Sequence, residues 1–181
     1  MSRTSRRSAW LLVTVVLAAT LVFMSVVPGV ATAKKRAKTP SIVDVAVAVN
    51  SSGLYAGSFD TLIAALKAAD PVVLETLSSK GQYTVFAPTD AAFAKLDLNP
   101  GNIGTVPQAA LTNILLYHVA YGRRYAADVI ASDQIRMLNG VFVFQSGGVL
   151  TDAQGRTSTI IVTDVPASNG IIHAIDTVLL P

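Results

Sequence analysis

Apolar positions recur with a helical period after residue 40 and with a strand period in the last third of the chain. The clearest amphipathic helix follows Ser58, its candidate N-cap, because five apolar residues return there at helical spacing. These residues are Phe59, Leu62, Ile63, Leu66 and Ala69. Another helix is predicted after the N-cap residue Ser41, and a third is predicted to start at Pro107. The first part of the domain is therefore predicted to be mainly helical.

A strand of period two is predicted for residues 83–87, since most of them are good strand formers. Pro88 ends this strand. Thr89 can then cap a new helix through its hydroxyl, while the Asp90 carboxylate complements the dipole of that helix.

The last third of the chain is predicted to be a series of short strands. The Asn139-Gly140 pair is its strongest hairpin signal and separates strands predicted at 136–138 and 141–144. Two more turns are predicted at residues 146–148 and 152–155, and two more strand regions at 159–162 and 171–180. Helices followed by a β-meander predict an α+β protein, with the helices packed on or beside an antiparallel sheet.

Residues 1–33 are predicted to be a secretory signal peptide, because a short basic segment precedes an apolar run that ends at Pro28-Gly29. The small residues Ala31 and Ala33 predict cleavage between Ala33 and Lys34. The alternative is an uncleaved membrane anchor, since a run of this length can span a bilayer. Both interpretations place the domain outside the cytoplasm, either secreted or at the cell surface. Residues 34–40 are predicted to be a basic linker, followed by one domain at 41–181.

The charges are unevenly distributed along the chain. The 14 basic and 11 acidic residues give a net charge of +3. Seven of the basic residues precede Thr39, so the predicted domain has seven bases against all 11 acids. An acidic domain of this kind argues against nucleic acid as a partner. The absence of cysteine excludes disulfides, thiolate metal sites and a lipoprotein cysteine.

No motif in the sequence indicates catalysis. The chain has no Gly-x-Ser-x-Gly elbow, phosphate-binding glycine loop or paired-histidine helix, and Glu75 is its one glutamate. A metal site made of His118, His173 and an aspartate is conceivable, but no ligand spacing supports it. We therefore expect no enzyme activity, no catalytic residue, no cofactor and no bound metal.

Three stretches of the chain, in order, resemble the fasciclin-like domain. They are residues 83–93, the Leu116-Tyr117-His118-Val119 segment, and residues 168–181 with the Asn169-Gly170 turn. These stretches are similar to the two signature segments and the Tyr-His motif of that family, and the resemblance covers roughly residues 42–181. It implies a fasciclin-like β-sandwich or wedge of about seven strands with several helices packed beside it. It also implies an extracellular protein associated with adhesion and surface interactions.

The resemblance also suggests a binding position. In animal members of the family, an adhesion motif with an Asp-Ile pair lies just before the Asn-Gly turn. Asp164 and Val165 occupy that position here and are the candidate binding pair, although the Glu-Pro that precedes the pair in those proteins is absent. The alternative interpretation is that Asp164 simply ends a strand.

Tyr117 and His118 are further candidate binding residues, predicted to extend the same face. The alternative is that both are structural, because an imidazole in an apolar stretch usually bonds backbone carbonyls or a carboxylate such as Asp90 or Asp176. The same alternative applies to His173.

The sequence thus predicts a non-catalytic adhesion or interaction module that binds an extracellular protein or a matrix or cell-surface component. It would contact a membrane only through its N-terminal segment, if that segment is uncleaved. The alternative function is a secreted carrier of an apolar small molecule, a carotenoid or a lipid. Some fasciclin-like proteins are similar to carotenoid-binding modules, and the chain is 51% apolar.

Overall fold

The computed structural model describes residues 39–181, and these contain six α-helices, one turn of 3-10 helix and seven strands. The helices are α1 (Ile42–Ser51), α2 (Asp60–Ala68), α3 (Pro71–Ser78), α4 (Asp90–Ala94), α5 (Gln108–Leu116) and α6 (Ala126–Ile130), with the 3-10 turn at Ile103–Thr105. The strands are β1 (Tyr83–Pro88), β2 (Val119–Tyr121), β3 (Gln134–Arg136), β4 (Phe142–Ser146), β5 (Val149–Thr151), β6 (Thr157–Ala167) and β7 (Gly170–Ile175). The predicted signal peptide at 1–33, and most of the predicted linker, lie outside the described residues.

The strands form one sheet in the order β2-β1-β7-β6-β5-β4-β3. A bridge between Ala120 and Met137 joins its two ends, so the sheet is nearly closed. The α+β wedge of seven strands with helices beside it is confirmed. The expectation of a purely antiparallel sheet is wrong at one position, since β1 and β7 are parallel. Their parallel pairing is possible because the chain between them crosses over through helices and the other strands.

The helices cover only part of this sheet, and the burial of the strands follows that coverage. We call β1 and β7 the covered half, because every residue in both strands is buried. We call β3, β4 and β5 the open half, because their buried residues alternate with residues that are exposed or half-buried. Each strand of the open half therefore has one face in the core and one face toward solvent.

Two apolar clusters fill the domain on opposite sides of the covered half. One lies between the helices and the sheet and includes Leu62, Leu66, Phe93 and Ile172. The other lies inside the curved sheet and includes Phe86, which is fully buried. Successive residues of a strand point to opposite faces, so β1 and β7 contribute to both clusters. No helix among residues 39–181 has the length and apolar character needed to cross a membrane.

Local signals in the sequence account for several element boundaries. The Ser41 and Thr89 side chains accept hydrogen bonds from the amides of Asp44 (3.3 Å) and Ala92 (3.3 Å), so both predicted N-caps are confirmed. The hairpin at Asn139-Gly140 is also confirmed, with β3 and β4 paired on either side of a wider turn.

The predicted cap of α2 is wrong. The helix has Phe59 at its N-cap position, and Ser58 does not cap it. Instead, the Asp90 carboxylate of α4 accepts from the amides of Asp60 (3.2 Å) and Thr61 (2.8 Å). Asp90 therefore caps a helix 29 residues earlier in the chain, which brings α2 and α4 together.

Candidate functional site

Asp164 lies at an irregularity in the middle of β6. The register of β6 against β7 shifts between Ile160 and Val162, and again between Val162 and Val165. These shifts leave Asp164 outside the regular ladder, with a φ of 60°, a left-handed conformation that Asp tolerates better than most residues. The interpretation that Asp164 ends a strand is wrong, because β6 continues to Ala167.

The exposed side chain of Asp164 has one occupied and one open oxygen. Its Oδ1 atom accepts a hydrogen bond from the Ala126 amide at 2.8 Å, at the start of α6. The other oxygen, Oδ2, has no hydrogen-bond partner within residues 39–181. The carboxylate is thus held in place by one oxygen and can bind a partner with the other.

His173 fixes the backbone at this position from inside the domain. Its Nδ1 accepts from the Asp164 amide at 3.2 Å, so its Nε2 carries the proton and donates to the Arg124 carbonyl at 2.9 Å. The ring is fully buried and stacks on Phe86, with 5.7 Å between the ring centroids. The bulge at Asp164 is therefore supported by a buried imidazole with both ring nitrogens in hydrogen bonds.

Val165 lies next to an apolar cavity between α1, the covered half and β6. The cavity has a volume of about 130 Å³. Every residue lining it is apolar or aromatic: Ala46, Val49, Tyr55, Phe59, Ala87, Val162, Val165, Ile172 and Ala174. The sequence analysis missed the cavity residues on α1 and in the loop after it. Only the tertiary fold brings these residues close to Val165.

The Asn169-Gly170 turn anchors the end of β6 to the helices. The buried Asn169 amide accepts from the Ile42 amide at 2.8 Å and donates to the carbonyls of Leu77 (2.7 Å) and Ser79 (2.9 Å). Gly170 does not have a positive φ. A Cβ atom there would overlap the Tyr83 carbonyl oxygen, so the glycine is required by the close approach of β1.

Tyr117 lies in the core, where it is fully buried. Its hydroxyl donates to the Phe142 carbonyl at 2.9 Å and accepts from the Ala153 amide at 3.0 Å. Burial is the main reason that the pKa of Tyr117 is raised above its usual value. The hydroxyl thus ties α5 to the loops of the open half.

His118 is also in the core, with 3% of its surface exposed. Its Nδ1 donates to the Ile114 carbonyl at 2.8 Å, and its Nε2 accepts from the Leu179 amide at 3.0 Å. Burial lowers the pKa of His118 to about 4, against the opposing effect of the Ile114 hydrogen bond. The bonding of His118 and His173 to the backbone confirms the structural alternative for both rings, and neither ring bonds a carboxylate.

An ion pair between Asp152 and Arg156 holds the segment around Leu179 from the other side, with 2.7 Å between Oδ2 and Nη2. Asp152 Oδ2 also accepts from the Leu180 amide (3.0 Å), and Arg156 donates to the Val178 carbonyl (2.9 Å). Burial alone would raise the pKa of Asp152, but these backbone and guanidinium hydrogen bonds together hold it below its usual value.

The four candidate binding residues therefore fall into two groups. Asp164 and Val165 lie together at the bulge, whereas Tyr117 and His118 are buried and do not share that surface. The described residues contain no group of three or more His, Cys, Asp or Glu side chains that could hold a metal ion.

The nearly closed seven-stranded sheet with helices against one part of it defines a known class of domain fold. A solved structure of a domain pair from the insect cell adhesion molecule fasciclin I has a TM-score of 0.56 and 23% sequence identity, and the match covers 68% of this chain and 45% of that one. The family model described as "Fasciclin domain" matches residues 57–181. The chain belongs to the fasciclin domain family.

Two relatives extend the comparison to bacteria. An uncharacterized Synechocystis protein, sll1735, is 38% identical over 146 residues, which cover 78% of this chain and 98% of that protein. The cell surface glycolipoprotein MPB83 of Mycobacterium bovis is 32% identical over 112 residues, which cover 62% of this chain and 49% of that protein. The family membership predicted from the three sequence stretches is confirmed.

Proposed function

We propose that the protein is a secreted or cell-surface adhesion and interaction module that binds an extracellular protein or matrix partner without chemical turnover. The observation that carries this proposal is the Asp164 surface, which we define as Asp164, Val165, Pro166 and Ser168. It presents a carboxylate oxygen that has no hydrogen-bond partner among residues 39–181, next to the half-buried Val165 side chain. A fixed carboxylate beside an aliphatic contact is a suitable anchor for a partner protein.

The relatives support the location and the general role. MPB83 is named as a cell surface protein, and fasciclin I is named as a cell adhesion molecule. The chemistry of the core supports a role without turnover, since both histidines have both ring nitrogens in hydrogen bonds to the backbone. In this proposal Tyr117 and His118 stabilise the fold behind the binding surface instead of contacting the partner.

The test is adhesion to surfaces coated with wild-type protein or with the Asp164→Asn/Val165→Ala double variant. Asn keeps an oxygen that can accept from the Ala126 amide and tolerates the left-handed φ, so this variant removes the charge and the aliphatic contact without removing the cap. We expect adherent cells or bound matrix protein to decrease by about tenfold. A matched Glu75→Gln variant removes an exposed charge on α3 and should bind as the wild type does.

Equal thermal stability of the three proteins is the necessary control. Equal adhesion by wild type and the double variant, at equal stability, would contradict the role of the Asp164 surface while leaving the fold assignment unaffected.

A second candidate function is transport of an apolar small molecule, and the cavity beside Val165 favours it. An apolar cavity on the order of 150 Å³ stays dry and can take a benzene-sized guest. The cavity of about 130 Å³ is of that size. A carotenoid or lipid could therefore insert only an end of its chain, with the remainder outside the domain.

Native mass and absorbance spectra of protein purified from its own host test this second function. A bound lipid or chromophore that is lost in an Ala46→Leu variant would support it, because the added side chain would occupy the cavity. A ligand-free wild-type protein would rule the carrier function out.

A further inference from the structure

Aromatic and arginine side chains form a row on the outer face of the sheet, where the open half meets the end of β2. Tyr121 lies one residue beyond the antiparallel bridge between Ala120 and Met137, which places Tyr121 opposite Arg136. Arg136 in turn pairs with Phe142 on β4. Phe144 lies two residues further along the same face of β4. The three aromatic rings are exposed, with 69% of Tyr121, 39% of Phe142 and 52% of Phe144 accessible to solvent. Exposed aromatic residues next to arginine are typical of binding surfaces.

Arg124 lies beside this row and lines the same groove as Tyr121 and Arg136. Its Nε atom is buried and has no hydrogen-bond partner. Within residues 39–181, neither the Arg124 nor the Arg136 side chain takes part in an ion pair or a hydrogen bond. By contrast, Arg123 donates to two backbone carbonyls and Arg156 pairs with Asp152. Of the four arginine side chains in residues 39–181, the two in the groove are thus the ones without an internal ion pair or hydrogen bond.

The distribution of charge makes this groove selective for anions. The domain is acidic, with seven basic and 11 acidic residues from Thr39 onward. No acidic side chain is among the described residues that line the groove. An anion is therefore repelled by most of the surface and attracted to this position, where two guanidinium groups can bind a carboxylate.

The backbone at this face limits the kind of ligand. β4 is paired on both edges, with β3 and with β5, and the bridge between Ala120 and Met137 joins the β2 and β3 ends of the sheet at one position. An extended peptide therefore cannot add beside β4, which carries Phe142 and Phe144, as a further strand, although strand addition is a common way for peptides to bind a sheet. A sugar ring, in contrast, packs its flat face of C–H groups on an exposed aromatic ring and needs no backbone partner. The groove, with a volume of about 380 Å³, is in the usual range for a small ligand.

We propose that this face, defined as Tyr121, Arg124, Arg136, Phe142 and Phe144 and called the Arg136 face, binds an acidic polysaccharide. Arg124 and Arg136 bind the carboxylates of uronic acid units, and the aromatic side chains pack against the sugar rings. The Arg136 face shares no residue with the Asp164 surface and has the opposite charge. The proposed polysaccharide also does not occupy the cavity beside Val165.

The test measures binding of the full chain to polygalacturonate, with neutral dextran and poly-glutamate as the other two probes. We expect binding to polygalacturonate and none to dextran. Arg136→Gln should weaken the binding by about tenfold, and the Arg124→Gln/Arg136→Gln pair should weaken it further. Tyr121→Ala should also weaken binding, although it changes no charge. Arg136 is exposed, so the single variant is expected to fold as the wild type does, and its melting curve checks this.

The basic segment before the domain requires its own control, since it can attract any polyanion. A Lys34→Gln/Lys35→Gln variant removes the same number of charges as the arginine pair and should reduce polygalacturonate binding much less. An equal loss from both double variants would overturn the proposal, because binding would then follow net charge alone. Poly-glutamate binding that equals polygalacturonate binding, with no effect of Tyr121→Ala, would also overturn it and would indicate an acidic peptide as the partner. Failure of polygalacturonate to bind would overturn it without affecting the adhesion test at Asp164.

Discussion

The covered and open halves belong to one sheet but differ in what lies outside them. In the covered half, helices pack on the outer face, so β1 and β7 are buried at every position. In the open half that face meets solvent, and only alternate residues are buried. The polar side chains show a related difference, since those of Asn169 and both histidines form hydrogen bonds inside the protein, whereas the Arg136 side chain forms none within residues 39–181.

This difference indicates how the domain separates stability from binding. Buried polar groups with complete hydrogen bonding specify the covered half and tolerate little change. The large side chains on the open face are partly exposed to solvent, so they can change with smaller effects on the fold. Four predictions test this division, beginning with the largest expected effect.

The covered half should fail when β1 and β7 are forced apart. Gly170→Ala places a methyl group against the Tyr83 carbonyl, and we expect it to cost more than about 4 kcal/mol or to prevent folding. Urea unfolding followed by circular dichroism measures this. Gly104→Ala is the matched control, since no atom lies within 4 Å of its added Cβ, and it should be nearly neutral. Similar midpoints for both variants would mean that the two strands are not locked together.

Acid should destabilise the domain through His118, which lies between α5 and β2 and whose pKa is lowered to about 4 by burial. In the unfolded chain the histidine has a pKa of about 6.5, so between pH 6.5 and pH 4 the unfolded chain binds a proton that the folded chain does not bind. The free energy of unfolding therefore has its full contribution from His118 above pH 6.5 and loses it as the pH falls toward 4. We expect about 3 kcal/mol less stability at pH 4 than at pH 7 from this group.

His118→Gln provides the comparison for the acid effect, because glutamine does not titrate. The variant should be less stable at neutral pH but should lose less stability between pH 6.5 and pH 4 than wild type does. Parallel pH profiles for the two proteins would exclude His118 as the cause.

Removal of the Asp90 cap between α2 and α4 should have an intermediate effect on the stability of the domain. Asp90→Ala leaves the Asp60 and Thr61 amides without their acceptor, at an expected cost of about 1–2 kcal/mol. Asp90→Asn keeps one acceptor oxygen and should cost less. Thermal melts of both variants measure the difference, and an alanine variant as stable as wild type would show that the contact contributes nothing.

A substitution on the open face should have the smallest effect on the free energy of unfolding. Phe144→Ala removes a large side chain that is 52% exposed, and we expect a change within about 0.5 kcal/mol. The same truncation at the fully buried Phe86 should cost about 3–5 kcal/mol. Comparable losses at the two positions, measured by urea unfolding, would remove the distinction between the halves.

Features set by neighbouring residues could be predicted from the sequence. The caps at Ser41 and Thr89 and the hairpin at Asn139-Gly140 depend on residues a few positions apart, and the structure has all three. The outward position of Arg136 and Phe142 could also be predicted, because side chains alternate between the two faces of the sheet along both strands of that hairpin. The sequence analysis did not use this alternation.

Contacts between distant segments could not be predicted in this way. The Asp90 carboxylate was assigned to its own helix, since nothing local indicates that α2 begins beside it. The link from His173 to Asp164 depends on a bulge in β6, and no spacing in the sequence shows that bulge. The sequence could name Asp164 and Val165 as a candidate pair, but the support of Asp164 from inside the domain and the cavity beside Val165 required the tertiary structure.

The position of β7 between β1 and β6 has a consequence for how the chain acquires its fold. The register joins Tyr83 to Gly170, 87 positions later, so β1 has no partner on that side until almost the whole domain is synthesised. A growing chain that ends before Gly170 would expose two unpaired strand edges, one on β1 and one on β6, and such edges promote aggregation. Folding therefore cannot proceed stepwise from the N-terminus, and the sheet must assemble late and slowly, as expected for pairing over long sequence distances. A chaperone that protects the nascent chain would need to remain bound until β7 emerges from the ribosome.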